Sequence, residues 1–171
     1  LHWEFGHIQE LIIQNFRPKS STLMADHPPA PLEELLWTLA AARLLFGPEM
    51  NIQAPPNLSP GVFTRLVEAG VNDWGGVSPV TPDHVNPEAP WPHLEELRRE
   101  TDAAGKVLVE RLAVYPGYVL DAERWLSVRF QTPVRQLVDS EGYPHTDAWS
   151  PGAGSPPQTR ELDLLRSRPV K

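Results

Sequence analysis

The sequence predicts an α/β fold built from three parallel strand–helix units, followed by a short helical extension and a Pro/Gly-rich tail. Three observations carry this expectation. Runs rich in β-formers recur at residues 7–16, 50–54 and 71–74, and segments of helical spacing lie between them. Gly or Pro punctuates nearly every boundary. Strand, helix, strand, helix, strand is the order of βα units, whose right-handed crossovers leave neighbouring strands parallel.

Residues 7–16, HIQELIIQNF, end in amides, as suits a strand that runs into a loop. In PLEELLWTLAAARLLFG, residues 31–47, Leu32, Leu35, Leu36, Leu39, Ala42 and Phe46 fall on one helical stripe, with Pro31 suited to the first turn and Gly47 to the end. MNIQA, residues 50–54, is a short strand halted by Pro55 and Pro56. Ser59 and Pro60 supply a cap and first position for a helix through GVFTRLVEA, which Gly70 closes. A third strand at 71–74 leads into NDWGGVSPVTPDHVNPEAPWP, residues 72–92, which holds five prolines and two tryptophans and follows neither period. Trp74, Val77, Val80, Val85 and Trp91 set this stretch apart from disordered proline-rich chain and predict an ordered, irregular loop. Beyond it, PHLEELRRETDAAG is a charged helix ending at Gly105, KVLVERLAVYP is apolar and partly alternating, and short helices are expected at 121–130 and 132–139. From Ser140 the chain is dominated by Gly, Pro and Ser, so 1–139 reads as the folded part and 140–171 as a linker or tail anchored by Trp149.

Composition excludes several classes. The 171 residues carry 15 basic and 22 acidic side chains, a net charge of −7, with no Lys/Arg cluster, so neither nucleic acid nor anionic lipid is an expected partner. No apolar run reaches the roughly 20 residues that span a bilayer, and the opening LHWEFGHIQE lacks a secretory layout, which makes a cytoplasmic location the default. The absence of cysteine removes disulfides, thiolate metal sites and thiol nucleophiles. Prolines make up about one residue in eight against about one in twenty in average usage, so many connections are stiff loops. A strand-like run this close to Leu1 reads as part of a longer polypeptide.

Ligands of parallel βα folds bind at the carboxyl ends of the strands. Here those ends carry Gln14, Asn15 and Arg17; Gln53 and Asn57; and Asn72 and Asp73, with Ser78, Asp83 and His84 on the loop that follows. Amides offer fixed donor–acceptor pairs suited to ring edges and hydroxyls, Asp73 and Asp83 accept from hydroxyls, and Arg17 pairs with a carboxylate. No Gly-rich phosphate cradle, nucleophile elbow or zinc helix is present. The residues describe a pocket for a polar, multi-hydroxyl molecule. Plainer readings stand beside this one. Asn72 and Asp73 before Gly75-Gly76 also fit turn chemistry, and Gln14 and Gln53 also suit backbone groups inside a barrel. Pro79-x-x-Pro82 and Pro87-x-x-Pro90 have the form of polyproline ligands. His2, His7, His27 and His145 read as solvated or capping residues. Asp83, His84, Glu88 and His93 match no metal-ligand spacing, so no metal site is expected.

HIQELIIQNFRPK, ARLLFGPEMNIQAPPNLSPG, AGVNDWGGVSPVTPDHVNPEAPWPHLEEL and ERLAVYPGYV together resemble the ring-closing component of FO synthase, from about His7 to Val119. That family comprises radical S-adenosylmethionine enzymes that make 7,8-didemethyl-8-hydroxy-5-deazariboflavin, the chromophore of coenzyme F-420. The resemblance implies an eight-unit radical-SAM barrel of TIM type, with residues 7–16, 50–54 and 71–74 as its last three strands and Asn15 at the substrate-facing end of the sixth. It implies S-adenosylmethionine and a [4Fe–4S] cluster as cofactors. The family's three-cysteine loop is absent from this chain, so the fragment alone is expected to be inactive. The implied reaction is a lyase step in which a 5′-deoxyadenosyl radical acts on a 4-hydroxybenzyl/ribityliminouracil adduct and the ring closes with loss of ammonia. The implied partners are the small-molecule substrate, the upstream remainder of the barrel and a second radical-SAM half, fused or separate. Two readings compete: the sister half that couples tyrosine to 5-amino-6-ribitylaminouracil, or a related menaquinone-pathway enzyme, and a non-catalytic proline-rich interaction module.

Overall fold

The computed structural model describes residues 1–78 and 80–145; Pro79 and Trp149 therefore lie outside the described residues. The chain divides into two compact units, Leu1–Val109 and the part from Glu110 onward.

The first unit runs α1 (His2–Phe5), which was not expected, β1 (Glu10–Ile12), α2 (Leu32–Phe46), β2 (Asn51–Gln53), a 3₁₀ turn (Pro56–Leu58), α3 (Phe63–Glu68) and α4 (Leu94–Ala103). β1 and β2 pair in parallel, with Glu10 opposite Asn51, Leu11 opposite Ile52 and Ile12 opposite Gln53. The expected third strand is reduced to one parallel bridge, Gln53 to Asp73, flanked by Asn72 N–H donating to Ile52 O at 3.1 Å. The strand expected over 7–16 is likewise trimmed to three residues, because backbone pairing extends only as far as the short β2 can offer groups. At its start the Asn51 amide donates to Gln9 O at 2.8 Å, and past its end Ile13 N–H donates to Gln53 O at 2.8 Å.

α2 forms where its Leu stripe requires it. Pro31 precedes it in extended conformation, Glu33 and Glu34 sit in the first turn where the helix dipole favours acids, and Gly47 ends it at φ +82. α3 starts later than expected, at Phe63, and Val62 rather than Ser59 stands at its N-cap. Ser59 instead closes the 3₁₀ turn that Pro55 and Pro56 set up. Leu35 and Leu39 of α2, Ile52 of β2, Phe63 and Leu66 of α3, and Leu97 of α4 make the core. Trp74 joins it because its polar edge is satisfied: Nε1 donates to Thr101 Oγ1 at 3.2 Å, and its ring meets Phe63 edge-on at 5.7 Å.

The alternating stretch 106–115 forms no strand. In the second unit, three short helices, α5 (Pro116–Leu120), α6 (Ala122–Trp125) and α7 (Val128–Arg135), replace the two expected at 121–130 and 132–139. α7 runs through Pro133, which removes one backbone donor from the helix. Residues after α7 turn back through an antiparallel bridge of Val138 with Pro144. The Asp139 carboxylate accepts from Glu141 N–H at 2.9 Å and Tyr143 N–H at 3.0 Å. Gly142, at φ +85, lies so close to Pro116 that a Cβ would meet its Cα at 2.9 Å.

Among the described residues no helix is long and apolar enough to cross a membrane.

Candidate functional site

Because β1, β2 and the Asp73 bridge run parallel, the loops that follow them leave from one end of the sheet. They are stitched together there. From the loop after β1, the Asn15 amide donates to Leu58 O at 3.1 Å, and Arg17 Nη2 donates to the same carbonyl. From the turn after β2, Asn57 Nδ2 donates to Asp83 Oδ2 at 2.8 Å and to Ala89 O at 3.1 Å. Asp83 folds the proline-rich loop around itself: Oδ1 accepts from Val85 N–H at 2.8 Å and Asn86 N–H at 3.1 Å, and Oδ2 from the Asn86 amide at 3.0 Å. Lys19 closes the ring with an ion pair to Glu88.

The electrostatics follow from these bonds. The Asn86 amide is the main reason that the Asp83 carboxyl lies well below the usual carboxylate range. Partial desolvation opposes the shift, and the Asn57 amide and the N–H groups of Val85 and Asn86 add to it. Glu88 is also lowered, chiefly by its hydrogen bond from Lys19.

Two polar atoms in this junction have no partner among the described residues. Asn57 is almost fully buried, at 3% exposure, yet its Oδ1 accepts nothing, and Arg17 Nε is buried and donates to nothing. Turning the Asn57 amide over would not help, since its oxygen would then face the Asp83 carboxylate. Asn15, Arg17, Asn57 and Asp83 thus come together, as their strand-end positions imply.

The other sequence-derived candidates are placed differently. Gln53 and Asp73 pair across the bridge, Asp73 Oδ1 accepts from Gly75 N–H at 2.6 Å, and Gly75 lies against the Gln53 amide. Ser78 Oγ accepts from Thr81 Oγ1 at 2.7 Å, and Gln14 and His84 are exposed. Asn72, one residue before Asp73, is taken up by the middle of β2 and by Arg43. Its Oδ1 accepts from Ile52 N–H at 2.7 Å and from Arg43 Nη2 at 2.9 Å. Sequence reasoning did not single out Arg43, Lys19 or Asn86, and weighed Glu88 only as a metal ligand. Arg43 carried a signal, a cation in the last turn of an otherwise apolar helix, where carbonyls await donors. Among the described residues no group of His, Asp or Glu is arranged to hold a metal ion.

No protein-family model and no solved structure matches the sequence. Curated proteins do. The chain is 53% identical over 139 residues to an FO synthase of Nocardia farcinica, and 56% identical over 139 residues to one of Mycobacterium tuberculosis. It is 48% identical over 143 residues to a 7,8-didemethyl-8-hydroxy-5-deazariboflavin synthase of Methanopyrus kandleri. These matches take in 81% to 84% of this chain, but it spans only 16% of either FO synthase and 42% of the Methanopyrus protein. The chain is therefore homologous to a segment of FO synthase, the family its sequence resembles.

Proposed function

We propose that the protein acts in FO biosynthesis, as the substrate-holding part of a radical S-adenosylmethionine lyase that closes the deazaflavin ring. The observation that carries this reading is the unfilled pair at the loop junction. A buried donor or acceptor without a partner costs about 1–3 kcal/mol, and in this reading groups of a ligand match Arg17 Nε and Asn57 Oδ1. One donor and one acceptor beside fixed amides suit a hydroxylated chain or the edge of a pyrimidine, as in the ribityliminouracil adduct. The Methanopyrus relative supports the ring-closing half, because its name is that of the deazaflavin synthase itself.

The chain cannot hold the cluster, since it has no cysteine. The cluster, and the S-adenosylmethionine that it activates, belong to the rest of the polypeptide in this reading. So do the strands that complete the barrel beside β1. This chain's share is to orient the substrate and exclude water, with the proline-rich loop as a rim held down by Asp83 and Lys19. Asn15, Gln53, Asp73, Ser78 and His84 are the further polar groups of that rim.

The test uses the complete enzyme carrying this segment. Arg17→Gln and Asn57→Ala are each expected to lower deazaflavin formation at least ten-fold, with a raised KM for the adduct. Unchanged yield in both variants would overturn the reading, and turnover of tyrosine with 5-amino-6-ribitylaminouracil instead of the adduct would transfer it to the sister half.

A further inference from the structure

α2 has two apolar faces. One, formed by Leu35, Leu39, Ala42 and Phe46, packs into the core. Half a turn away, at i, i+4, i+7 and i+8, Trp37, Ala41, Leu44 and Leu45 form a second stripe. Trp37 is 72% exposed, Leu44 86% and Leu45 72%. A helix apolar on both sides is covered on both sides, and a contiguous exposed apolar stripe marks a docking surface. A barrel helix packs its inner face on the strands and its flanks on neighbouring helices. A stripe directly opposite the core is left over by that arrangement.

The rim of the stripe identifies what covers it. Glu33 and Glu34 lie at its start and Glu49 beyond its end. The helix's one cation, Arg43, is turned away onto the carbonyls of Gly47, Pro48, Met50 and Gly70. Glu33 has Arg65 as a partner and Glu49 interacts electrostatically with Arg43, while Glu34 has no ion pair among the described residues. Pairing with a second copy would set acids against acids in either orientation, at a cost to association. A partner with an apolar stripe flanked by Lys or Arg meets no such repulsion. The long FO synthases hold far more polypeptide than the matched segment, enough for a second helical domain. We propose that the Trp37–Leu44–Leu45 face of α2 is the seat of an amphipathic, basic-flanked helix from another domain. The proposal goes beyond the substrate site and does not depend on it.

The full chain is titrated against two labelled 18-residue helical peptides with the same Leu stripe, one flanked by Lys and one by Glu. Fluorescence anisotropy is expected to show binding of the Lys-flanked peptide, with the Glu-flanked one at least ten-fold weaker. Trp37→Ser and Leu44→Ser, both at exposed sites, are expected to weaken binding at least ten-fold with the circular dichroism unchanged, and Val107→Ser to leave it unaltered. Equal binding of the two peptides, or binding insensitive to Trp37→Ser and Leu44→Ser, would overturn the proposal. So would two other outcomes: sedimentation showing a dimer that Leu44→Ser dissociates, making the occupant a second copy, or tighter binding in L164D/L165D, making it the chain's own C-terminal residues.

Discussion

Two arginines sit at opposite ends of the same short parallel sheet and are treated in opposite ways. At the amino ends of the strands, Arg43 is saturated. Nε and Nη2 donate to Gly70 O at 3.1 and 2.7 Å, Nη1 reaches Gly47, Pro48 and Met50, and Nη2 also meets Asn72 at 2.9 Å. At the carboxyl ends, Arg17 donates to Leu58 O, and its buried Nε finds no acceptor among the described residues. A saturated guanidinium ties helix ends and strand starts together and has little capacity left for anything else. An unsaturated one, with the unmatched Asn57 oxygen in the same loop junction, leaves polar groups that the described residues do not satisfy. The amino end holds the fold, and in the proposed reading the carboxyl end is kept for recognition.

The comparison breaks if Arg43 can be removed cheaply. Arg43→Ala strips donors from four backbone carbonyls and from Asn72, and it is expected to cost about 3 kcal/mol in urea unfolding, against under about 1 kcal/mol for Arg17→Gln. Burial already pulls the Arg43 guanidinium below its ordinary value, with Glu49 opposing the shift, so its bonds compensate a real desolvation cost. Next in size is Gly75→Ala. Gly75 sits at φ +71, where a Cβ is strained and would run into the Gln53 amide, so a loss of about 2 kcal/mol is expected in the same unfolding measurement.

The smallest effect sharpens the carboxyl end. Asp83 is held below its ordinary value, so its contribution to stability is present above the unfolded carboxyl value, about pH 4. It is lost only as pH falls through the lower folded value. On acidification below about pH 4 the urea midpoint of the wild type is expected to fall further than that of Asn86→Ala, whose Asp83 carboxyl lies nearer its unfolded value and so has less stability to lose. Asp83→Asn should remove this acid dependence.

What the sequence made legible was periodicity and strand-end chemistry. The Leu stripe of 31–47 gives α2, and the amides after the β-rich runs give Asn15 and Asn57. Features left open or misread were those decided by partners distant in sequence. Residues 106–115 alternate but find no strand to pair with, so Val107 and Val109 stay exposed. Asn72 looks the same as Asn57 in the text, yet Arg43, 29 positions earlier, and the Ile52 N–H take up its side-chain oxygen. Ser59 followed by Pro60 has the form of a helix cap, but the two prolines before it had already committed the chain to a tighter turn.

The most direct measurement is a structure of the complete enzyme with the ring-closing substrate bound. Polar substrate atoms should stand within hydrogen-bond distance of Arg17 Nε and Asn57 Oδ1, while the bonds of Arg43 are unchanged from those described above. Substrate bound away from this junction, with both atoms satisfied by protein groups instead, would contradict the account.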